Sequence, residues 1–181
     1  MSTLTVFNDQ QPSQALQHSQ DPMQMALLLQ AQGIGFEQWP LAATISTGSS
    51  SEEVLMAYRS EIDRLQQQEG YQAVDVVSLT ANHPDKVALR AKFLQEHIHN
   101  EDEVRFFVAG QGLFSVHKAD KVYEIHCQAG DLIRVPAHTR HWFDMGPNPN
   151  FIAIRLFNNP AGWVAHFTGS LIADGFSRLQ N

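Results

Sequence analysis

The sequence predicts a mainly β domain, either a sandwich or a closed barrel, with helices packed outside it. From residue 96 onward, short apolar or alternating segments follow one another at regular intervals, and turn-forming residues such as Gly130-Asp131 separate them. Regular short strands with turn signals are typical of sandwiches and barrels. The strands are expected at 103–109, 112–118, 121–127, 131–135, 140–145 and 151–157.

Length and composition indicate one domain over residues 1–181. The chain is 43% hydrophobic and 17% charged, which is enough for a packed core and argues against disorder. We expect a helical N-terminal part at 1–70, a barrel at 71–158 and a C-terminal tail at 159–181 that is weakly helical.

Net charge and cysteine content argue against some classes of partner and indicate the cellular compartment. The net charge is −7 and no run of Lys and Arg occurs, so neither nucleic acid nor an anionic membrane is an expected partner. No apolar stretch is long enough to span a bilayer, and the N-terminus lacks the pattern of a signal peptide. Cys127 is alone, so no internal disulfide is possible, and a reducing cytoplasm is the expected location.

The first seventy residues carry signals for a strand, a loop and helices. Residues 4–7 are expected to form a short edge strand, and the glutamine-rich residues 10–20 a loop. Asp21 before Pro22 is typical of a helix start. The apolar residues that then repeat at helical spacing are Met23, Leu27 and Leu28, and Gly33 is expected to end the helix.

A second helical region follows. Ser50 and Glu53 predict a capping box, and Gly70 is expected to end the region. After it, residues 73–80 are expected to form a strand and residues 87–93 a short helix. The stripe expected to pack on the core is Val54, Leu55, Tyr58, Ile62 and Leu65.

The stretch from residue 97 to residue 110 carries the chemistry. His97, His99 and Glu103 all have odd numbers, so they would lie on one face of an extended strand. Two imidazoles and one carboxylate are the ligand set of the facial triad, which suits divalent Fe, Ni or Mn. A fourth ligand is expected from His141, and His138 is the alternative.

The spacing of these residues resembles the two-part signature of the cupin barrel, a double-stranded β-helix of jelly-roll type. The first part is HxHxxxE followed by Gly110, and the second is GxxxxxPxxxxH, which runs from Gly130 through Pro136 to His141. Where the general signature has Gly and Asn, this chain has His138 and Met145. The sequence therefore predicts a metal-binding cupin barrel.

Two arginines are candidates for the lining of the barrel. Arg105 shares the parity of Glu103, and a charged side chain inside a barrel needs a compensating anion. That anion is either a negatively charged substrate or a neighbouring carboxylate such as Glu101 or Asp102. Arg155 lies on a later strand and is either a second lining residue or a surface residue.

Aromatic residues are expected to form the apolar end of the site. Phe143 follows His141 by two residues, and Phe93 and Trp163 either extend the same wall or belong to the core. A metal with four protein ligands in octahedral geometry keeps two adjacent positions open, which suits a bidentate substrate such as an enediol. The metal and Arg105 together fit a dianionic substrate.

Two longer segments closely resemble acireductone dioxygenases of the methionine salvage pathway. They are HIHNEDEVRFFVAGQGLFSVH, residues 97–117, and RVPAHTRHWFD, residues 134–144. The resemblance extends over nearly the whole chain, and HxHxxxExR is narrower than the general cupin signature.

The resemblance implies an enzyme with one Fe(II) or Ni(II) per chain, acting on a small-molecule substrate and O2, and most often monomeric. It implies that the substrate is 1,2-dihydroxy-3-keto-5-methylthiopentene and that the metal decides the products. Arg105 matches a residue that holds the substrate dianion, Glu96 one linked to metal incorporation, and Asp102 one linked to conformational relay. The implied metal ligands are His97, His99, Glu103 and His141.

Two other functions fit the ligand motif alone. One is a cupin isomerase or an oxalate-type oxidase that uses Zn or Mn, although it leaves Arg105 beside Glu103 unexplained. The other is a metal-binding module without catalytic activity, which would consume no oxygen with any enediol.

Overall fold

A computed structural model describes residues 1–42 and 44–181 of the chain. Most of the strands that build the central barrel match the predicted segments closely. The strands are β1 (Thr3–Asn8), β2 (Gln11–Ser19), β3 (Gly35–Gln38), β4 (Ala73–Leu79), β5 (His97–Ile98), β6 (Glu103–Lys118), β7 (Lys121–Gln128), β8 (Asp131–Val135), β9 (Arg140–Asp144), β10 (Phe151–Phe157) and β11 (His166–Phe167).

Four α-helices and one 3₁₀ turn accompany the strands in the described residues. Within residues 1–42 and 44–181, no helix combines the length and the hydropathy that a bilayer crossing requires. The helices are α1 (Pro22–Gln30), α2 (Ser51–Ala57), α3 (Arg59–Glu69) and α4 (Lys86–Phe93), and the 3₁₀ turn covers Ile172–Gly175.

The strand β6 belongs to both sheets of the barrel. Its first half, from Glu103 to Gly110, pairs antiparallel with β10 and β8, and its second half, from Gln111 onward, pairs with β7 and β9. Two separate strands were predicted there, because Gly110 and Gly112 suggested a turn. The chain instead continues through Gly110, which has φ +70° and no room for a Cβ beside the carbonyl oxygen of Asn150.

The N-terminal part is not only helical, which corrects the prediction for residues 1–70. β1 pairs with β7 on one side and with β2 on the other, so β1 is internal and β2 forms the edge. The expected loop at 10–20 is thus largely strand β2, because pairing with β1 satisfies its backbone despite its polar, mostly exposed side chains.

The first helix begins as predicted, and only part of its apolar repeat packs against the core. The Asp21 side chain caps it by accepting from the backbone N–H of Met23 at 3.0 Å. Met25 and Leu29 are buried and Leu28 packs partly buried against the core, whereas Met23 and Leu27 are largely exposed. This helix is apolar on several sides, so its spacing alone did not specify which side packs.

The second helical region agrees with its prediction in caps and packing. Ser50 and Glu53 form the capping box, and Gly70 ends α3 in a left-handed conformation. The two helices α2 and α3 cover the outer face of the sheet that contains β4, β6, β8 and β10. The residues buried there include Val54, Tyr58, Ile62 and Leu65 from the helices and Val104, Phe106, Ile154 and Leu156 from the sheet.

The interior of the barrel and its C-terminal covering complete the packing. The interior is apolar and aromatic, and it includes Phe107, Phe114, Phe143 and Phe151. The tail, expected to be weakly helical, contributes the short strand β11 and the 3₁₀ turn, and its Phe176 packs against Phe7 and Trp142 on the outside.

Candidate metal centre

Three histidine side chains converge at one end of the barrel. His97 on β5 lies directly opposite His141 on β9, and their ring centroids are 4.4 Å apart. His99 lies in the bend between β5 and β6, so the motif does not run along one strand as the parity argument assumed. One ring nitrogen from each of His97, His99 and His141 lies within 4.8 Å of the others.

A backbone carbonyl holds each of these imidazoles at Nδ1. Because a carbonyl oxygen can only accept, Nδ1 carries the proton and Nε2 keeps its lone pair for a metal. The Nε2 atoms of His99 and His141 are buried without a hydrogen-bond partner. The acceptors are the carbonyl oxygens of Gln95, Val164 and Thr139, at 2.7, 2.9 and 2.8 Å from Nδ1 of His97, His99 and His141 respectively.

Glu103 supplies a carboxylate beside the histidines. Its Oε2 lies 3.5 Å from Nε2 of His99 and 3.7 Å from Nε2 of His141, and it has no hydrogen-bond partner. Glu103 is outside the tighter three-histidine group, yet the free Oε2 faces it. Three imidazole nitrogens and one carboxylate oxygen therefore form a donor set for one divalent ion.

Burial and charge set the protonation states that such a site needs. Burial is the main cause that lowers the pKa of His97 to about 4 and that of His141 to about 3. Burial alone would raise the pKa of Glu103, but the Arg105 guanidinium and the nearby histidines outweigh it and lower the pKa to about 2. At neutral pH the imidazoles are neutral and the carboxylate is ionised, as metal ligands must be.

Arg105 is buried and pairs with the carboxylate of Glu103, and not with Glu101 or Asp102, the two examples considered for a neighbouring partner. Its Nε and Nη2 both donate to Oε1 of Glu103, at 3.0 and 2.8 Å. The guanidinium also lies over the rings of Phe114 and Phe143, at 5.0 and 5.1 Å from their centroids.

A cavity of about 260 Å³ opens onto the histidines. Its polar lining residues are Lys92, His97, His99, Arg105 and Arg155. The four residues expected in the pocket wall all line it, namely Phe93, Phe143, Arg155 and Trp163. The cavity thus has a cationic side and an aromatic side.

Sequence reasoning missed several lining residues. Leu89 and Lys92 lie on α4, the helix that carries Phe93. Leu89 precedes Phe93 by four residues, so a shared helix face could have indicated that Leu89 also lines the cavity. Ala165 and Phe167 come from the segment after Trp163, and only its folding back onto β5 brings them to the site.

Glu96 lies behind the histidines and does not line the cavity. Its Oε2 accepts from Nδ1 of His117 at 2.6 Å, and its Oε1 accepts from the Thr168 hydroxyl at 2.7 Å. His117 is no part of the three-histidine group, but it anchors the carboxylate next to His97.

Asp102 fixes the turn that precedes His141. Its Oδ1 accepts from the backbone N–H of Ala137 at 2.7 Å. In the same turn, His138 has φ +61° and is exposed, while its backbone N–H donates to the carbonyl of His99. The side chain of His138 is therefore not in the cluster, which favours His141 over the alternative ligand.

A barrel of this topology, with a buried histidine and carboxylate cluster at the end of an aromatic cavity, defines a metal-dependent enzyme of the cupin class. The chain matches the ARD/ARD' family model over residues 3–165. It is 58% identical to acireductone dioxygenase from Alcanivorax borkumensis over 98% of both chains, and 55% identical to that from Pseudomonas aeruginosa over the full length of both.

Comparison with solved structures indicates the same relationship. The solved structure of acireductone dioxygenase from Bacillus anthracis, with a cadmium ion in its active centre, is 28% identical and superposes with a TM-score of 0.81, covering 92% of this chain and 98% of that one. The chain belongs to the ARD/ARD' family. It is a metal-dependent dioxygenase with a cupin fold, and its three-histidine cluster is a divalent-metal site.

Proposed function

We propose that the chain cleaves acireductone, 1,2-dihydroxy-3-keto-5-methylthiopentene, with dioxygen in methionine salvage. The observation that carries this proposal is the joint position of two ligand candidates, His97 and His99, and two arginines on one cavity whose other wall is aromatic. A chelating, anionic head and an apolar methylthio tail match the two sides of that cavity. The relatives at 55–58% identity support the same substrate.

The ligands proposed for the metal are His97, His99, Glu103 and His141. Their donor atoms are imidazole nitrogen and carboxylate oxygen, without a thiolate, and such a set binds several first-row ions. We propose Fe(II) or Ni(II), one ion per chain. When bound, the ion supplies Lewis-acid and template chemistry for the substrate oxygens.

The protein residues around the ion bind and orient the substrate. Arg105 and Arg155 bring positive charge to the cavity wall, where they stabilise a substrate that has lost its enediol protons. Phe93, Phe143 and Trp163 enclose the methylthio tail and exclude water from the reacting carbons. Arg105 has a second role, because its two bonds to Oε1 of Glu103 turn the other carboxylate oxygen toward the histidines.

Glu96 and Asp102 act on the site through their neighbours. Glu96 joins the backbone next to His97 to His117 and Thr168, so we propose that it sets the position of the β5 histidines for metal uptake. Asp102 joins the start of β6 to the turn before His141, so we propose that it couples movement of the two ligand-bearing segments.

The metal is proposed to decide the products of one and the same polypeptide. With Fe(II) the expected products are 4-methylthio-2-oxobutanoate and formate. With Ni(II) they are 3-methylthiopropanoate, formate and carbon monoxide. Both sets account for every atom of the substrate and of one dioxygen molecule.

Oxygen uptake on protein of known metal content tests the proposal. The protein is stripped, reloaded with Fe(II) or Ni(II), mixed with acireductone, and the products are identified. We expect uptake with both ions and carbon monoxide only with Ni(II). Equal carbon monoxide from both forms would contradict metal control of the products.

The same experiment separates the competing functions. An isomerase or a metal-binding module would consume no oxygen with acireductone, and an oxalate-type oxidase would respond to oxalate instead. Absence of uptake in the Fe(II) and Ni(II) forms would overturn the proposed function.

The setting proposed for the enzyme is a monomer in the cytoplasm, with no partner beyond its substrate and O2. The buried thiol of Cys127 is compatible with a reducing compartment. Gel filtration with light scattering, together with fractionation of cells, would test both points.

A further inference from the structure

Three charged residues follow one another across neighbouring strands on the face that lines the cavity. Arg105 on β6 lies directly opposite Arg155 on β10, and Arg155 lies directly opposite Asp75 on β4. Like charges at directly opposed positions destabilise a sheet unless other groups compensate them. Glu103 compensates Arg105, so the charge of Arg155 requires a separate partner.

Asp75 is that partner, and it binds Arg155 through two parallel hydrogen bonds. Nε of Arg155 donates to Oδ1 at 3.0 Å, and Nη2 donates to Oδ2 at 2.6 Å. This two-point geometry fixes the plane of the guanidinium as well as its position. Among the described residues, Nη1 of Arg155 has no acceptor in the protein.

The fixed guanidinium stands at the boundary between the main cavity and a smaller apolar recess. Arg155 and Arg105 both line the recess as well as the main cavity. The recess is walled by Val77, Phe93, Phe143, Phe151 and Ala153. An arginine without its carboxylate would be free to turn away from this boundary toward solvent, since β4 is an edge strand of its sheet and the side chain of Asp75 is 31% exposed.

We propose that Asp75 is a positioning residue for substrate binding: it orients Arg155 so that the free edge of the guanidinium faces an anionic oxygen of the bound substrate. This inference rests on the proposed function, because it takes Arg155 as a substrate-binding residue. Asp75 itself does not line the cavity. The sequence offered no reason to connect it with the site, since it lies 80 residues from Arg155.

A purely structural ion pair at the sheet edge is the alternative. It predicts that loss of Asp75 lowers the thermal stability and leaves substrate affinity unchanged. A positioning role for Asp75 predicts a raised KM for acireductone and little change in kcat. The reason is that the contact between Arg155 and the substrate is present in both the bound substrate and the transition state.

The test is a double-mutant cycle on the metal-loaded enzyme. Asp75→Asn and Arg155→Ala are made singly and together, and KM, kcat, metal content and thermal midpoint are measured. We expect Asp75→Asn to raise KM about tenfold, the effect of about one charge-assisted hydrogen bond, with metal content unchanged. In the Arg155→Ala background the same substitution should raise KM no further.

Glu37→Gln is the matched control. Glu37 also accepts from an arginine on a neighbouring strand, because Nε of Arg134 donates to its Oε1 at 3.0 Å, but that pair lies away from the cavity. This variant should keep the KM of the parent. Asp75→Glu retains the charge and should give a KM between those of the parent and Asp75→Asn.

The outcomes separate this inference from the proposed function. An unchanged KM in Asp75→Asn, or an equal rise with and without Arg155, would overturn the positioning role while oxygen uptake by the parent enzyme still supports the function. An unchanged KM in Arg155→Ala would remove Arg155 from the substrate site, and the inference with it. A parent enzyme that consumes no oxygen would overturn the function itself.

Discussion

Arg105 binds a single oxygen of Glu103, with both Nε and Nη2 donating to Oε1 at 3.0 and 2.8 Å. The second oxygen, Oε2, remains 3.5 Å from Nε2 of His99 and has no other partner. The arginine proposed to bind the substrate thus also orients the carboxylate proposed to bind the metal. Substrate binding and metal binding are therefore expected to depend on one another through this pair.

Replacement of Arg105 should weaken both functions. We expect Arg105→Ala to lower metal affinity about 10–100-fold, the usual effect of losing a group that orients a ligand, and to reduce turnover even at saturating metal. Lysine should rescue only in part, because it lacks the planar fork that bonds twice to one oxygen. Metal titration and oxygen uptake measure the two effects, and a variant with the parent's affinity and turnover would refute the coupling.

Single alanine replacements of the proposed ligands should each remove most of the bound metal. The variants are His97→Ala, His99→Ala, Glu103→Ala and His141→Ala, and elemental analysis after dialysis measures occupancy. His138→Ala is the control, because that side chain is exposed in the same turn as His141 and should leave occupancy unchanged. A ligand variant with full occupancy would exclude that residue from the coordination sphere.

Gly112→Ala should disturb the aromatic wall without touching a ligand. A Cβ at Gly112 would lie 2.3 Å from Cε2 of Phe143, so the ring must move into the cavity or the strands must separate. We expect a raised KM for acireductone and a loss of about 1–3 kcal/mol in the free energy of unfolding, as for other overpacked sites. Gly175→Ala is the control, since its nearest neighbour is 3.7 Å away, and equal behaviour of both variants would contradict the argument.

The metal-free protein should lose stability as the pH falls from about 6.5 to about 4. Burial lowers the pKa of His97 to about 4 and that of His141 to about 3, whereas imidazoles in the unfolded chain titrate near 6.5. In this window the unfolded state binds protons that the native state does not, so protonation favours unfolding. Urea denaturation at several pH values measures the slope of the free energy of unfolding against pH.

His97→Gln provides the matched comparison for this pH dependence. Glutamine keeps a polar side chain of related size but does not titrate, so the slope between pH 6.5 and 4 should become shallower. An identical slope in the variant, or greater stability at the lower pH, would show that the native histidine binds protons as readily as the unfolded one.

Local patterning in the sequence predicted most of the barrel strands, most helix ends and the residue types of the candidate metal site, but it missed the edge strand β2 and the unbroken course of β6. Alternation with period two predicted the barrel strands, and the caps at Ser50 and Gly70 depend on residues within one turn of each other. The spacing of His97, His99, Glu103 and His141 was sufficient to predict one metal site, because that motif is contained in two short segments.

Only the tertiary structure decided which partners these residues take. The pairing of Arg155 with Asp75 follows from strand register. The pairing of Arg105 with Glu103, two residues apart on one strand, follows from the direction of the two side chains. The carbonyl of Val164 and the ring of Phe167 reach the histidines because the tail folds back onto β5. Local periodicity tells which face a side chain occupies, but contacts across strands depend on pairings between segments up to 80 residues apart, which no local signal encodes.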